Sequence, residues 1–204
     1  MPENATWTLI GESVQQLSLA VSLRDDLTGA RPVGSPEVRV DGQTSDVRNV
    51  SGYHLYFGLP DDATVTIEVT PDERYEAATK TRDLSTHTVS EAVTFDLIPT
   101  LHYTFPSWAT LLRGRVVDGD DDPIKNVTLS VDTLSRTTTT NETGEFVYYF
   151  TDVTANTTTS GGQTVLELDG LDPTVTATHP DGRTQSATPT VEVAATTSLT
   201  FTFA

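Results

Sequence analysis

Residues 112–150, LRGRVVDGDDDPIKNVTLSVDTLSRTTTTNETGEFVYYF, decide how this chain folds. Leu112, Gly114 and Val116 alternate with Arg113, Arg115 and Val117, the two-residue period that gives a strand one buried and one outward face. Asp118-Gly119 and Asp122-Pro123 then punctuate the chain as an acidic turn. Val127, Leu129 and Val131 alternate with Thr128, Ser130 and Asp132, so a second strand returns alongside the first. A polar loop follows, Asn141-Glu142-Thr143-Gly144 supplies another turn, and Phe146, Tyr148 and Phe150 open a third strand.

Working outward, residues 17–97 repeat this plan. Leu17 to Leu23 reads as a strand, with Asp25-Asp26 and Thr28-Gly29 as its turn. Pro36 to Gly42 parallels Asn126 to Asp132, and Ser51 to Phe57 parallels Thr143 to Tyr149. Ala63 to Val69 before Pro71-Asp72 parallels Pro173 to Thr178 before Pro180-Asp181, and Val93 to Leu97 parallels Leu199 to Phe203. Matched segments in one order indicate an internal duplication. Neither half carries sustained helical periodicity, so the expected class is all-β: two small antiparallel β-sandwiches in tandem.

The stretch 112–150 resembles the carboxypeptidase regulatory-like domain, a small prealbumin-like sandwich. Gly114, Val116, Asp118, Pro123, Val127, Val131, Thr140, Gly144 and Phe146 carry the resemblance, matching G-x-V-x-D, a later P-x-x-x-V and T-[DN]-x-x-G-x-F. Lys125-Asn126 departs from it, standing where the family usually has a small Gly-Ala pair. The resemblance implies a module attached to something else rather than a catalyst. In carboxypeptidases this module accompanies a zinc domain, and that domain has no counterpart here.

The expected organisation is an N-terminal arm at 1–16, a first sandwich at 17–97, an ordered Pro/aromatic connector at 98–110 and a second sandwich at 111–204. The arm carries Trp7 and Leu9 in the alternating run Thr6-Trp7-Thr8-Leu9, suited to packing on its own domain or adding a strand to an exposed sheet edge. In the connector, IPTLHYTFPSWAT, Pro99 and Pro106 stiffen the chain, while Leu101, Tyr103, Phe105 and Trp108 are too apolar for a flexible linker. They are expected to pack between the domains or to form a partner-binding strip together with His102. Residues 151–163, TDVTANTTTSGGQ, read as a long polar loop, and the last residues as an alternating strand that leaves the C-terminus in a sheet.

Charge narrows the function. The 204 residues hold 29 acids against 12 lysines and arginines, a formal net charge of −17 with pI near 4.3, and only Lys80 and Lys125 are lysines. Many acids, little lysine and abundant threonine suit a high-salt cytoplasm, where a Debye length of ~3 Å at ~1 M salt screens self-repulsion. A face for a basic partner is the other reading, although the acids are scattered rather than blocked. Nucleic-acid binding is disfavoured, because phosphate contacts need a basic stripe. No apolar run approaches a membrane span, and the opening MPENATWTLIGES lacks the basic and apolar regions of a signal peptide. With no cysteine, disulfides and thiolate metal sites are excluded.

Catalytic signals are absent. No Gly-x-Ser-x-Gly elbow, phosphate loop or nucleophile–base set occurs, and His54, His87, His102 and His179 lack metal-ligand spacing. No enzyme activity, cofactor or metal is expected. Asp118, Asp120, Asp121 and Asp122 form a weak Ca²⁺ candidate without the glycine and glutamate positions of an EF-hand loop, and an acidic surface turn explains them better. Asn4, Asn49, Asn126, Asn141 and Asn156 each begin an N-x-[ST] sequon, a triplet that chance supplies in a threonine-rich chain.

A second resemblance suggests where the protein works. GYHLYFGLPDDATVTIEV and the junction LIPTLHYTFPSWATLLRGRVVD look like small two-module proteins of contractile injection systems and phage-tail-like particles. Tyr53, Phe57, Leu59 and Pro60 carry the first likeness; Pro99, Tyr103, Phe105, Pro106, Leu112 and Gly114 carry the second. It implies a structural or adaptor component, assembled in the cytoplasm and released in an extracellular particle. Its partners would be proteins in a large symmetric assembly, as a homo-oligomeric ring or repeated copies, contacted through arm, connector and sheet edges. A cell-surface or virion-exposed module that binds glycan or protein is the alternative, and an enzyme accessory domain a third.

Overall fold

The computed structural model describes residues 16–88, 90–151, 153 and 156–204. Most of the arm, with Trp7 and Leu9, lies outside the described residues. Two compact units form, one running to Asp72 and resuming over Glu76–Leu97, the other made of Glu73–Tyr75 with Ile98–Ala204. The architecture is all-β, two small antiparallel sandwiches in tandem. Among the described residues no helix is long and apolar enough to cross a membrane.

In the first unit β1 (Leu17–Asp25) lies between β5 (His54–Phe57) and β8 (Val93–Leu97), with the short β4 (Val47–Arg48) beyond β5. The facing sheet has the order β3 (Gln43–Thr44), β2 (Glu37–Val40), β6 (Thr64–Thr70), β7 (Ala78–Asp83). Val38, Val40, Val65, Ile67 and Val69 point inward from β2 and β6 to meet Leu19, Val21, Leu23, Tyr56, Phe95 and Leu97, all buried. Each such side chain contributes about 1.5–3 kcal/mol on burial.

The second unit repeats this order. β9 (Thr110–Asp118) lies between β12 (Glu145–Phe150) and β18 (Thr196–Phe203). The facing sheet runs β11 (Thr137–Thr139), β10 (Thr128–Val131), β15 (Val175–Thr178), β16 (Thr184–Ala187). Leu112, Val116, Leu129, Val131, Phe146, Tyr148, Phe150, Val175, Phe201 and Phe203 form its core.

The duplication seen in sequence extends to hydrogen bonds. Asp25 Oδ1 accepts the N–H groups of Leu27 (3.0 Å) and Thr28 (2.9 Å), closing the turn after β1. Asp118 Oδ1 accepts those of Asp120 and Asp122, both at 2.9 Å, closing the turn after β9. Asn49 and Asn141 each accept from Gly52 and Gly144 respectively through the backbone carbonyl, at 2.9 and 3.0 Å. Each first strand also pairs in parallel with its unit's last: Asp25 lies opposite Leu97, and Asp118 opposite Phe203. The sheets are therefore antiparallel apart from one parallel pair in each unit.

The polar segment 151–163 departs from expectation. Part of it folds as β13 (Thr157–Ser160), paired antiparallel with β14 (Gln163–Leu166), and β17 (Val191–Glu192) joins as third strand. Gly161 and Gly162, at φ 58° and 84°, make the two-residue turn with positive φ at both positions that strand twist favours. β-Branched threonines then suffice for a short strand, so polarity alone misread the segment as a loop. The threonines at 137–139, within the other loop, form β11 for the same reason.

Candidate interaction site

The connector is grouped with the second unit, and its aromatics stack there. The Tyr103 ring meets Tyr75 edge-on at 5.4 Å and Phe105 at 5.0 Å, and Phe105 meets Tyr149 at 6.0 Å. Arg113 lies over Phe105 at 5.3 Å, and Arg136 over Tyr149 at 4.1 Å while donating to its hydroxyl. The backbone is held as well. The Thr100 N–H donates to the Arg74 carbonyl at 2.8 Å, the Thr100 hydroxyl donates to the Glu73 carbonyl, and Tyr75 bridges Pro99. Edge-on ring pairs are each worth about 0.5–1.5 kcal/mol beyond area burial.

This packing explains β12, where every residue from Phe146 to Phe150 is buried although a two-faced strand should alternate. Phe146, Tyr148 and Phe150 enter the sandwich core. Val147 and Tyr149 face outward, and the connector's Phe105 stacks on Tyr149. Leu111, on the outward face of β9 opposite Tyr149, is 5% exposed for the same reason.

Of the sequence-derived partner-binding residues, Tyr103 is buried, Leu101 and Phe105 are half-buried, and His102 is exposed. Trp108 remains 55% exposed. The connector therefore splits into anchors and presented groups. Tyr75, Arg136 and Tyr149 complete the anchor set. Tyr75 could not be found from spacing, because it lies more than twenty residues upstream of the connector.

Beyond the connector the outward face stays open. A groove of about 490 Å³ is lined by Leu101, His102, Arg113, Arg115, Ser198 and Thr200, among others. The alternation of Arg113 and Arg115 on one strand face was readable in the sequence, but nothing there showed that the face would be open to solvent.

The acidic turn has a structural job. Asp118 spends Oδ1 on the turn's own N–H groups, and among the described residues no group of three His, Cys, Asp or Glu could hold a metal. Asp120 and Asp122, the other members of the Ca²⁺ candidate, enter this turn through their backbone N–H groups. Histidines do not cluster either. His54 is buried in β5, its Nδ1 3.3 Å from the Ser45 hydroxyl, and burial followed by the charge of Arg48 holds its pKa below the ordinary value. The pKa of His87 is lowered by burial and by Arg82, whose Nε donates to its Nδ1 at 3.1 Å. Burial pushes the hydroxyls of Tyr56 and Tyr148 up to about 12, so both stay protonated and donate to the carbonyls of Val38 and Arg136.

No protein-family model and no curated protein matches the sequence. Among solved structures the chain is similar to a streptococcal ancillary pilin, at 10% identity and TM-score 0.30, covering 90% of this chain and 67% of that one. It is similar to the TIE protein of Bacillus anthracis at 10% identity and TM-score 0.29, covering 84% and 32%. The major pilin subunit BcpA of Bacillus cereus follows at 13% and 0.27, covering 83% and 54%. The chain thus spans between about a third and two thirds of those structures' own length, and the fold assignment rests on its own strand order.

Proposed function

We propose that this chain is a non-catalytic structural module that binds protein partners as part of a multi-copy assembly displayed on a cell surface or particle. The observation that carries the reading is Trp108, a large apolar side chain held 55% exposed on a connector whose neighbouring rings are stacked and hydrogen-bonded in place. An exposed aromatic on a rigid platform binds at low entropic cost, which suits a contact surface. A particle of the contractile-injection type, assembled in a salt-rich cytoplasm, is the finer form of this proposal and rests on the motifs around Tyr53 and Phe105.

Fractionation of source cells in high salt, with mass spectrometry of envelope, medium and pelleted particles, tests it. Recovery at fixed stoichiometry with sheath and tube proteins supports the particle form; recovery in the envelope supports surface display. A chain found solely as a free monomer in the soluble fraction refutes both.

A further inference from the structure

We infer that the open edge of β18, with Arg113 and Arg115 beside it, receives an extended acidic segment of a partner protein as an added strand. The inference rests on the proposed assembly role and names the chemistry of the partner.

Main-chain direction provides the first argument. Within a strand, consecutive residues direct their N–H and C=O groups to opposite edges. The Ala195 carbonyl accepts from Leu111 N–H at 2.9 Å, so odd-numbered residues of β18 face β9. Even-numbered residues face away: the Thr202 carbonyl takes a side-chain bond from Gln185, and the Ala204 carbonyl one from Arg183. Those bonds cap the C-terminal end of the edge. At Ser198 and Thr200 the outward main-chain groups have no partner among the described residues, a template for strand addition.

Side-chain chemistry provides the second. Ser198 lies opposite Arg113 and Thr200 opposite Arg115, so both hydroxyls and both arginines share the outward face and line one groove, with Asn141 and Glu145 on its β12 side. Arg113 contacts the Phe105 ring, and Arg115 reaches the Asp121 carbonyl at 3.5 Å. Glu145 stands opposite Arg115 on β12 and lines the same groove, but its carboxylate accepts the Thr143 hydroxyl at 2.9 Å and forms no ion pair with either arginine among the described residues. Arg113 faces no acid across either neighbouring strand, its opposite residues being Val147 and Ser198, so its charge is the less compensated of the two. A strand added to β18 lies about 4.8 Å beyond it and about 10 Å from β9, within reach of extended arginine side chains. Carboxylates at alternate positions of that strand would meet the two guanidiniums, which favour forked pairing.

The duplicated unit is an internal comparison. Aligning the turn aspartates Asp25 and Asp118 puts Ala20 and Ser22 where the second unit has Arg113 and Arg115. The one arginine of β1, Arg24, is satisfied by Asp96 at 2.6 Å. Inward positions of the two strands are occupied alike by Leu23 and Val116, so the basic pair is not a requirement of the sandwich.

The test uses the full chain and labelled peptides with glutamate at alternate positions of a valine/threonine strand, with glutamine and lysine counterparts, followed by fluorescence anisotropy in about 0.2 M and about 1 M KCl. The glutamate peptide is expected to bind at least tenfold tighter than either counterpart, with affinity falling at the higher salt. Arg113→Ala/Arg115→Ala should lose that tenfold while melting as the wild type does. Ser198→Pro removes an outward N–H without touching the β9 ladder and should abolish binding; N-methylation of the peptide's alternate amides gives the same test with the protein unchanged.

Equal binding of the lysine peptide, an unaffected arginine variant, or no binding by the wild type overturns the inference. So does a peptide-free dimer abolished by these substitutions, which would assign the edge to self-pairing. None of these outcomes alters the fractionation result, so the assembly role and its proposed partner fail separately.

Discussion

Gly114→Ala should be among the most damaging single substitutions in the second unit. Gly114 lies in the middle of β9, opposite Leu199 of β18 and Phe146 of β12. A Cβ added there would sit deep inside the van der Waals radius of the Leu199 carbonyl oxygen, with the Phe146 ring 3.0 Å away. A backbone oxygen cannot rotate aside, so the two strands must part by more than about an ångström to restore a normal carbon–oxygen distance of about 3.3 Å. Hydrogen bonds do not survive that displacement, and two lost ladder bonds cost about 2 kcal/mol. Phe201 and Phe203, both 3% exposed, follow the same strand, and partial loss of their packing adds about 1–2 kcal/mol. The sum of about 3–4 kcal/mol corresponds to a Tm lower by about 12–25 °C for the transition of that unit. Calorimetry of the full chain reads it, with Gly119→Ala as control, since no atom lies within 4 Å of that added Cβ. A Gly114→Ala protein within about 1 kcal/mol of wild type would refute the close approach of β9 and β18.

The other predictions concern groups whose partners are now defined. His54, with its pKa held below the unfolded value of 6.5 by burial and Arg48, lets the unfolded chain bind the proton more readily. Its contribution is complete above pH 6.5 and is lost as pH falls toward the folded pKa, so the first unit should melt lower at pH 5 than at pH 7, and His54→Gln should reduce the dependence, leaving the part that His87 contributes in the same direction. A pH-independent first transition refutes this. Asp118→Ala removes the acceptor of two turn N–H groups and should cost about 1–2 kcal/mol by urea unfolding, Asn being tolerated, while millimolar Ca²⁺ leaves the wild-type Tm unchanged. Phe105→Ala breaks the ring series and should destabilise the second unit by about 1–3 kcal/mol, whereas Trp108→Ala should stay within about 0.5 kcal/mol and weaken assembly instead. The charge of −17 should make the melting temperature rise with KCl; indifference to salt removes the high-salt argument.

The sandwich core was legible because inward residues obey a period of two, and turn residues mark where each strand stops. Val127, Leu129 and Val131 needed no tertiary information. The duplication was legible for the same reason, down to the correspondence of Val93–Leu97 to Leu199–Phe203, each beside its own unit's first strand. What periodicity could not show is what covers a face. FVYYF at 146–150 fits a strand of either orientation, and only the connector rings over Tyr149 explain why both sides are apolar. The hairpin at 157–166 was missed because its threonines carry β-propensity without hydrophobicity, and the composition pointed to a loop.

Gly114 shows how two copies of one plan diverge inside. Aligned through the turn aspartates, Val21, His54 and Val93 of the first unit occupy the places of Gly114, Phe146 and Leu199 in the second. Phe146 and Leu199 are larger than the residues they replace, and the central position gives up its side chain in exchange. Packing at constant volume permits such a trade, since cores tolerate rearranged side chains better than added volume. The trade also fixes which half is open to further change. With β9 and β18 drawn together at Gly114, their outward residues Arg113, Arg115, Ser198 and Thr200 stand side by side on a rigid face. The glycine therefore matters to the surface as well as to the core: a substitution that parts the strands without unfolding the unit should also misalign that face and weaken binding of an acidic strand.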